Sequence, residues 1–188
     1  GVPAGATAFM VSHGPEAWHP DPGFYYEVGG GPMFDMGPYY LTALVNLIGP
    51  FRRVTGSAQI SFSERTVTSR PKFGRTINVE VPTHIATVVD FATGGVGTLV
   101  MSFDIWQASL IPMEIYGSEG TLRVPDPNYF EGSVQLWRHD GRDWRTMPLI
   151  NDLTANLRGL GVADMARAMR EGRSHRANGE LAYHVLEV

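Results

Sequence analysis

The 188 residues contain no cysteine, which excludes disulfides and thiolate metal sites. Such usage fits a reducing compartment, and a cytoplasmic protein is expected. Lysine is almost as scarce, with Lys72 standing alone. Basic residues total 15 against 19 acidic ones, a formal net charge of −4. Both signs are scattered and no basic stripe forms, which argues against a nucleic-acid partner. No apolar run approaches the roughly 20 residues needed to span a membrane. The opening GVPAGATAFMVSHG has no basic start and no continuous apolar stretch, so it does not read as a signal peptide.

What is present suits one globular domain with a real core: 43% of the residues are hydrophobic and 18% charged. The chain starts on Gly1 rather than Met, and it stops at Val188 inside a helical pattern without a capping signal. It therefore reads as one domain, residues 1–188, of a longer protein.

Residues 4–12 read as a strand. The segment HGPEAWHPDPGFYYEVGGG is too rich in Pro, Gly and Asp for regular structure, yet it carries Trp18, His19, Phe24, Tyr25 and Tyr26. A loop so aromatic must pack on something or line a pocket. Residues 31–50 read as a helix, with Leu41, Leu44, Val45 and Ile48 at helical spacing. Pro38 reads as a tolerated first-turn proline, and Gly49-Pro50 as the stop.

From about residue 52 to 150 the texture turns to strands. Residues 53–69 read as one long strand, with RPKFGR as a loop after it. VPTHIATVVDF and GVGTLVMSFDI flank ATGG as a hairpin. Ile85, Thr87, Val89 and Phe91 share one face of the first arm; Leu99, Met101, Phe103 and Ile105 share one face of the second. Four shorter strands follow, within 112–117, 120–126, 133–140 and 143–149. The chain ends helical, with Leu157, Leu160, Val162, Met165 and Met169 on one segment and Leu181, Ala182, Val185 and Leu186 on the next. Sequential strands on short turns imply a mainly antiparallel sheet. The predicted class is α+β: one open sheet with helices on one face.

Three patterns invite chemistry. GGGPMFDMG resembles a phosphate loop only in its glycines, since no strand precedes it and no βαβ unit follows. The simpler reading is that the glycines allow close backbone approach before the helix. Asp35 and Tyr39 stand at i and i+4, on one side of a helix start. They could face one substrate hydroxyl, or serve as an N-cap and a core aromatic. A phenol, with its pKa of about 10, is a poor acid or base at neutral pH unless a cation lowers it. The six histidines form no H-E-x-x-H or H-x-H pair, so no metal site is expected. His19, beside Trp18, is the best ligand-contact candidate; His84 and His184 read as satisfied structural groups.

The string GGGPMFDMGPYYLTALVNLIGPFRRVTG resembles the start of the second domain of Gfo/Idh/MocA oxidoreductases. In that family a Gly-rich stretch leads to D-x-G-x-H or D-x-G-x-Y on a helix. VPTHIATVVDFATGGVGTLVMSFDIW, MEIYGSEGTLRVPDPNYF, RGLGVADMARAM and HRANGELAYHVLEV match further family elements in order. The resemblance covers nearly the whole chain.

It implies the glyceraldehyde-3-phosphate dehydrogenase-like C-terminal fold, the substrate-side and oligomerisation domain. The companion Rossmann domain, which would hold NAD or NADP and an E-K-P lysine, is absent from this sequence, so no cofactor-binding residue is assigned here. By the family pattern Asp35 is an active-site residue. Tyr39 takes a position that holds histidine in some members and tyrosine in others. These two are the candidate catalytic residues. Trp18, His19, Asp104 and Trp106 are the candidate substrate-binding residues. The resemblance implies an NAD(P)-dependent reaction on a sugar or polyol, and a homodimer or tetramer formed through the sheet face. The alternative is a non-catalytic polyol-binding or assembly domain.

Overall fold

A computed structural model of the chain describes residues 1–150 and 158–188. Among these the elements run β1 (Pro3–Val11), α1 (Gly31–Leu47), β2 (Phe51–Gln59), β3 (Glu64–Thr66), β4 (Thr76–Asn78), β5 (His84–Phe91) and β6 (Val96–Ser102). They continue with β7 (Met113–Gly117), β8 (Gly120–Val124), β9 (Gln135–Arg138), β10 (Arg145–Thr146), α2 (Leu160–Glu171) and α3 (Gly179–Glu187).

Eight strands form one sheet in the order β10-β9-β8-β7-β1-β6-β5-β2, while β3 and β4 pair apart. β1 runs parallel to β6, and the other neighbours are antiparallel. One face is covered: Tyr40, Leu41 and Leu44 of α1 and Val185 of α3 pack on Ala6, Ala8, Leu99, Met101 and Met113. The alternation of each strand puts these residues inward. The class is the expected α+β architecture.

The structure differs from the sequence reading in three places. α1 begins at Gly31, with Gly30 as N-cap and Pro32 in the first turn. Pro38 is therefore inside the helix rather than in its first turn. Having no N–H, it cannot bond the carbonyl of Phe34 one turn back. Asp35, one turn in, is not the N-cap.

Second, the long strand expected over 53–69 breaks after Gln59. Gln59 pairs with His84, the first residue of β5, so the ladder has no partner beyond it. The chain turns away, and β3 pairs with β4 around the RPKFGR turn. Third, α2 forms as a helix, but Val162, Met165 and Met169 on it are exposed. Leu157, counted above with this apolar set, lies outside the described residues.

The hairpin around residues 92–95 forms as expected, with Gly94 and Gly95 both at positive φ. Asn178 caps α3 by accepting from the Leu181 N–H at 2.8 Å. No helix among the described residues is long and apolar enough to cross a membrane.

Candidate functional site

Parallel pairing brings the C-terminal ends of β1 and β6 together, with Val11 opposite Ser102. The segments leaving those ends, α1 and the loop after β8 enclose a cavity of about 510 Å³. Trp18, Asp35, Trp106, Asp126, Asn128 and Tyr129 are on its wall. Trp18 is 65% exposed and Trp106 80%. Two indoles left this open beside a cavity are unusual unless something covers them. Asp35 points a carboxyl into a partly desolvated place, and burial raises its pKa above the usual carboxylate value.

Behind the wall is a buried ion cluster. Arg65 donates from Nε to Glu16 at 2.8 Å and from Nη1 to Asp104 at 3.2 Å. Its Nη2 donates to the carbonyls of His13 at 2.7 Å and Phe103 at 2.5 Å. Tyr26 donates its hydroxyl to Glu16, and Thr83 donates to Asp104 at 2.7 Å. Charges this deep persist because each is paired and hydrogen-bonded. The cluster pins β3 and the aromatic loop to the segment after β6. On its cavity side the His13 imidazole stacks on Trp106, ring centroids 3.3 Å apart. Burial, and then the Arg65 charge, lower the pKa of His13.

The loop from Pro125 to Phe130 forms another wall. Asp126 lies beside the hydroxyl of Tyr40, which is buried on α1, and the Asp126 side chain accepts from the Asn128 N–H at 2.9 Å. Burial first, and then Asp126, raise the Tyr40 pKa. Tyr40 and Asp126 thus meet where the loop packs on the helix.

A nicotinamide dinucleotide would need free helix N–H groups and glycine room for its pyrophosphate. At α1 that room is filled. A Cβ at Gly30 would lie 2.6 Å from the carbonyl oxygens of Phe24 and Tyr25, and one at Gly31 would lie 3.1 Å from that of Pro82. A 3₁₀ turn, Gly23–Tyr26, rather than a strand, leads into α1. These residues at the start of α1 do not fit the cofactor.

A family model described as the GFO/IDH/MocA C-terminal domain matches residues 2–123. The chain belongs to that family. Solved structures agree on the fold. An NAD-binding oxidoreductase from Klebsiella pneumoniae superposes with a TM-score of 0.72 at 19% identity, over 98% of this chain and 54% of that one. An apo levoglucosan dehydrogenase gives 0.75 at 19% identity, over 98% and 55%. A UDP-N-acetylglucosamine 3-dehydrogenase from Acidithiobacillus ferrooxidans gives 0.68 at 14% identity, over 100% and 51%. This Gfo/Idh/MocA domain thus spans about half the length of those proteins. Curated protein sequences give no match.

Within the Gfo/Idh/MocA domain, the six residues singled out from sequence do not converge on one point. Trp18, Asp35 and Trp106 border the cavity. His19 is behind Trp18, edge-on to it at 5.4 Å, with Nδ1 accepting from the Asp21 N–H at 3.0 Å. Asp104 faces Arg65 and Thr83. Tyr39 lines a separate shallow groove with Pro38, Thr42, Asn46 and Pro127. Asp35 and Tyr39 thus flank the same loop from two sides.

Sequence reasoning missed Tyr40, Asp126, Asn128 and Tyr129. The PDPN string after a strand was the available signal, but nothing local ties it to α1. His84 and His184 are satisfied, by Ser102 at 2.9 Å and by the Phe51 N–H at 2.9 Å.

Proposed function

We propose that this domain is the substrate-holding half of an NAD(P)-dependent oxidoreductase acting on a sugar, cyclic polyol or similar hydroxylated molecule. The observation that carries the reading is the cavity itself, where the Asp35 carboxyl shares a wall with two open indoles. Fold neighbours whose names state sugar chemistry support it, among them levoglucosan dehydrogenase bound to NADH with levoglucosan or L-sorbose.

The nicotinamide belongs to a part of the longer protein outside these residues. This chain binds, orients and handles a proton. Trp18 and Trp106 take the apolar face of a sugar ring. Asp35 accepts from a substrate hydroxyl and fixes its orientation. Tyr39, in the adjoining groove rather than on the cavity wall, exchanges the proton of a hydroxyl that extends past Pro127 into that groove, once a lysine of the companion domain faces it. His19 and Asp104 serve from behind the wall, holding Trp18 and Arg65.

Tyr39→Phe in the full-length protein tests this. Turnover should fall by about 10²–10⁴-fold, the usual share of acid–base catalysis, with little change in stability. Near-normal turnover would make Tyr39 a packing residue. The second reading is a polyol-binding or assembly domain without catalysis. It keeps the cavity and drops the chemistry, and full-length protein with no turnover on any polyol would favour it.

A further inference from the structure

We infer that the cavity selects uncharged sugars or polyols and rejects anionic ones: sugar acids, sugar phosphates and nucleotide sugars. This rests on the cavity being the substrate site, as proposed above. The argument is one of charge.

Among the described residues the wall carries two carboxyls, Asp35 and Asp126, and no lysine, arginine or histidine. Its other polar groups are neutral: Ser12, Gln107, Asn128 and Tyr129. Nearby cations are already committed. Arg65 is 4% exposed, and Glu16, Asp104 and two main-chain carbonyls hold its Nε, Nη1 and Nη2. The Arg65–Glu16–Asp104 group has a formal charge of −1. His13 is stacked on Trp106, and burial and the Arg65 charge oppose its protonation. Lys72 pairs with Asp21 at 2.5 Å. The exception is Arg158, which donates to the Asn128 amide oxygen at 3.4 Å from the exposed side, where solvent screens its charge.

An anion in this cavity would meet like charge in a partly desolvated place, where repulsion is screened far less than in water. A neutral polyol instead donates hydroxyls to the carboxyls and lays C–H groups on the indoles. A single lysine from the companion domain, as the family resemblance implies, would offset one carboxylate and leave the other.

The test uses the full-length protein and a panel of neutral sugars and cyclic polyols, each with its phosphate and its uronic acid. The best neutral compound should exceed its phosphate and uronate by about 100-fold in kcat/KM, and added salt should narrow the gap. Asn128→Arg should narrow the gap by about tenfold, mainly through KM for the anions. Arg158→Gln, which removes a solvent-screened cation beside Asn128, should widen it slightly. A phosphate or uronate used as well as its neutral parent overturns this inference while the sugar oxidoreductase reading stands. A gap that ignores both salt and Asn128→Arg shows exclusion by size and also overturns it. No turnover of any member, charged or neutral, overturns the oxidoreductase reading and this inference with it.

Discussion

Asp35 is one turn into α1, at a position where burial opposes its charged form. Its folded pKa lies above the ordinary unfolded value of 3.8. Between those two values the folded chain keeps a proton that the unfolded chain has lost. Stability therefore falls as pH rises through that window and stays lower above it. Asp35→Asn removes this cost. The variant should melt higher than the parent at pH 7, with the difference closing below the unfolded value of 3.8. A variant that melts lower at pH 7 would mean the carboxylate makes a net stabilising contact. A gain in stability coupled to a loss of turnover is the mark of a group kept for chemistry. Asp35 was legible because its neighbours in sequence form the family string. Asp126 was not, because it is 91 residues further on and reaches α1 only through the sheet order.

On the level of elements, α1 is placed by the glycines before it. Gly31 has φ +89 and Gly29 has φ +93. Alanine at either position meets backbone strain of about 1–3 kcal/mol. A Cβ at Gly29 meets nothing within 4 Å, whereas at Gly31 it lies 3.1 Å from the Pro82 carbonyl. Gly31→Ala should therefore destabilise more than Gly29→Ala in urea unfolding, and equal losses would show that Pro82 yields freely. Helix α1 and the 84–102 hairpin were readable because their signals are local: apolar spacing in one, a glycine turn in the other. The end of β2 was not, since a strand lasts only as long as its partner, and the partner's start at His84 is a tertiary fact. Neither was the central place of β1, parallel to a strand that begins 85 residues after Val11.

Over the whole molecule, the unfinished surface is the sheet face opposite α1. Ala86, Val88 and Val96 are exposed there, with Val88 at 45%. The RPKFGR turn does not cover them, because it docks on the aromatic loop: Lys72 pairs with Asp21, and the Thr68 and Ser69 N–H groups bond the Glu16 carbonyl. Apolar area left in water costs roughly 25 cal/mol per Å². Towards the other edge the same face carries a polar chain. Thr7 meets the Tyr116 hydroxyl at 3.0 Å, Tyr116 donates to Glu114 at 3.0 Å, and Arg123 donates to Glu114 at 2.9 Å. Arg123 lies 3.8 Å from the ring centre of Trp144. Sequence alternation showed the valines; only the register shows that these polar groups satisfy one another. Two such faces related by a two-fold axis would bury the valines and leave no sheet surface uncovered. Light scattering at micromolar concentration should find a dimer or tetramer. Val88→Glu should dissociate it by burying a carboxylate from each copy in the shared face, with the monomer still folded because position 88 faces away from the core. A strict monomer in the parent protein would reject the sheet-face interface, and an oligomer indifferent to Val88→Glu would place the contact elsewhere, with the exposed Val162, Met165 and Met169 of α2 as the next surface to change.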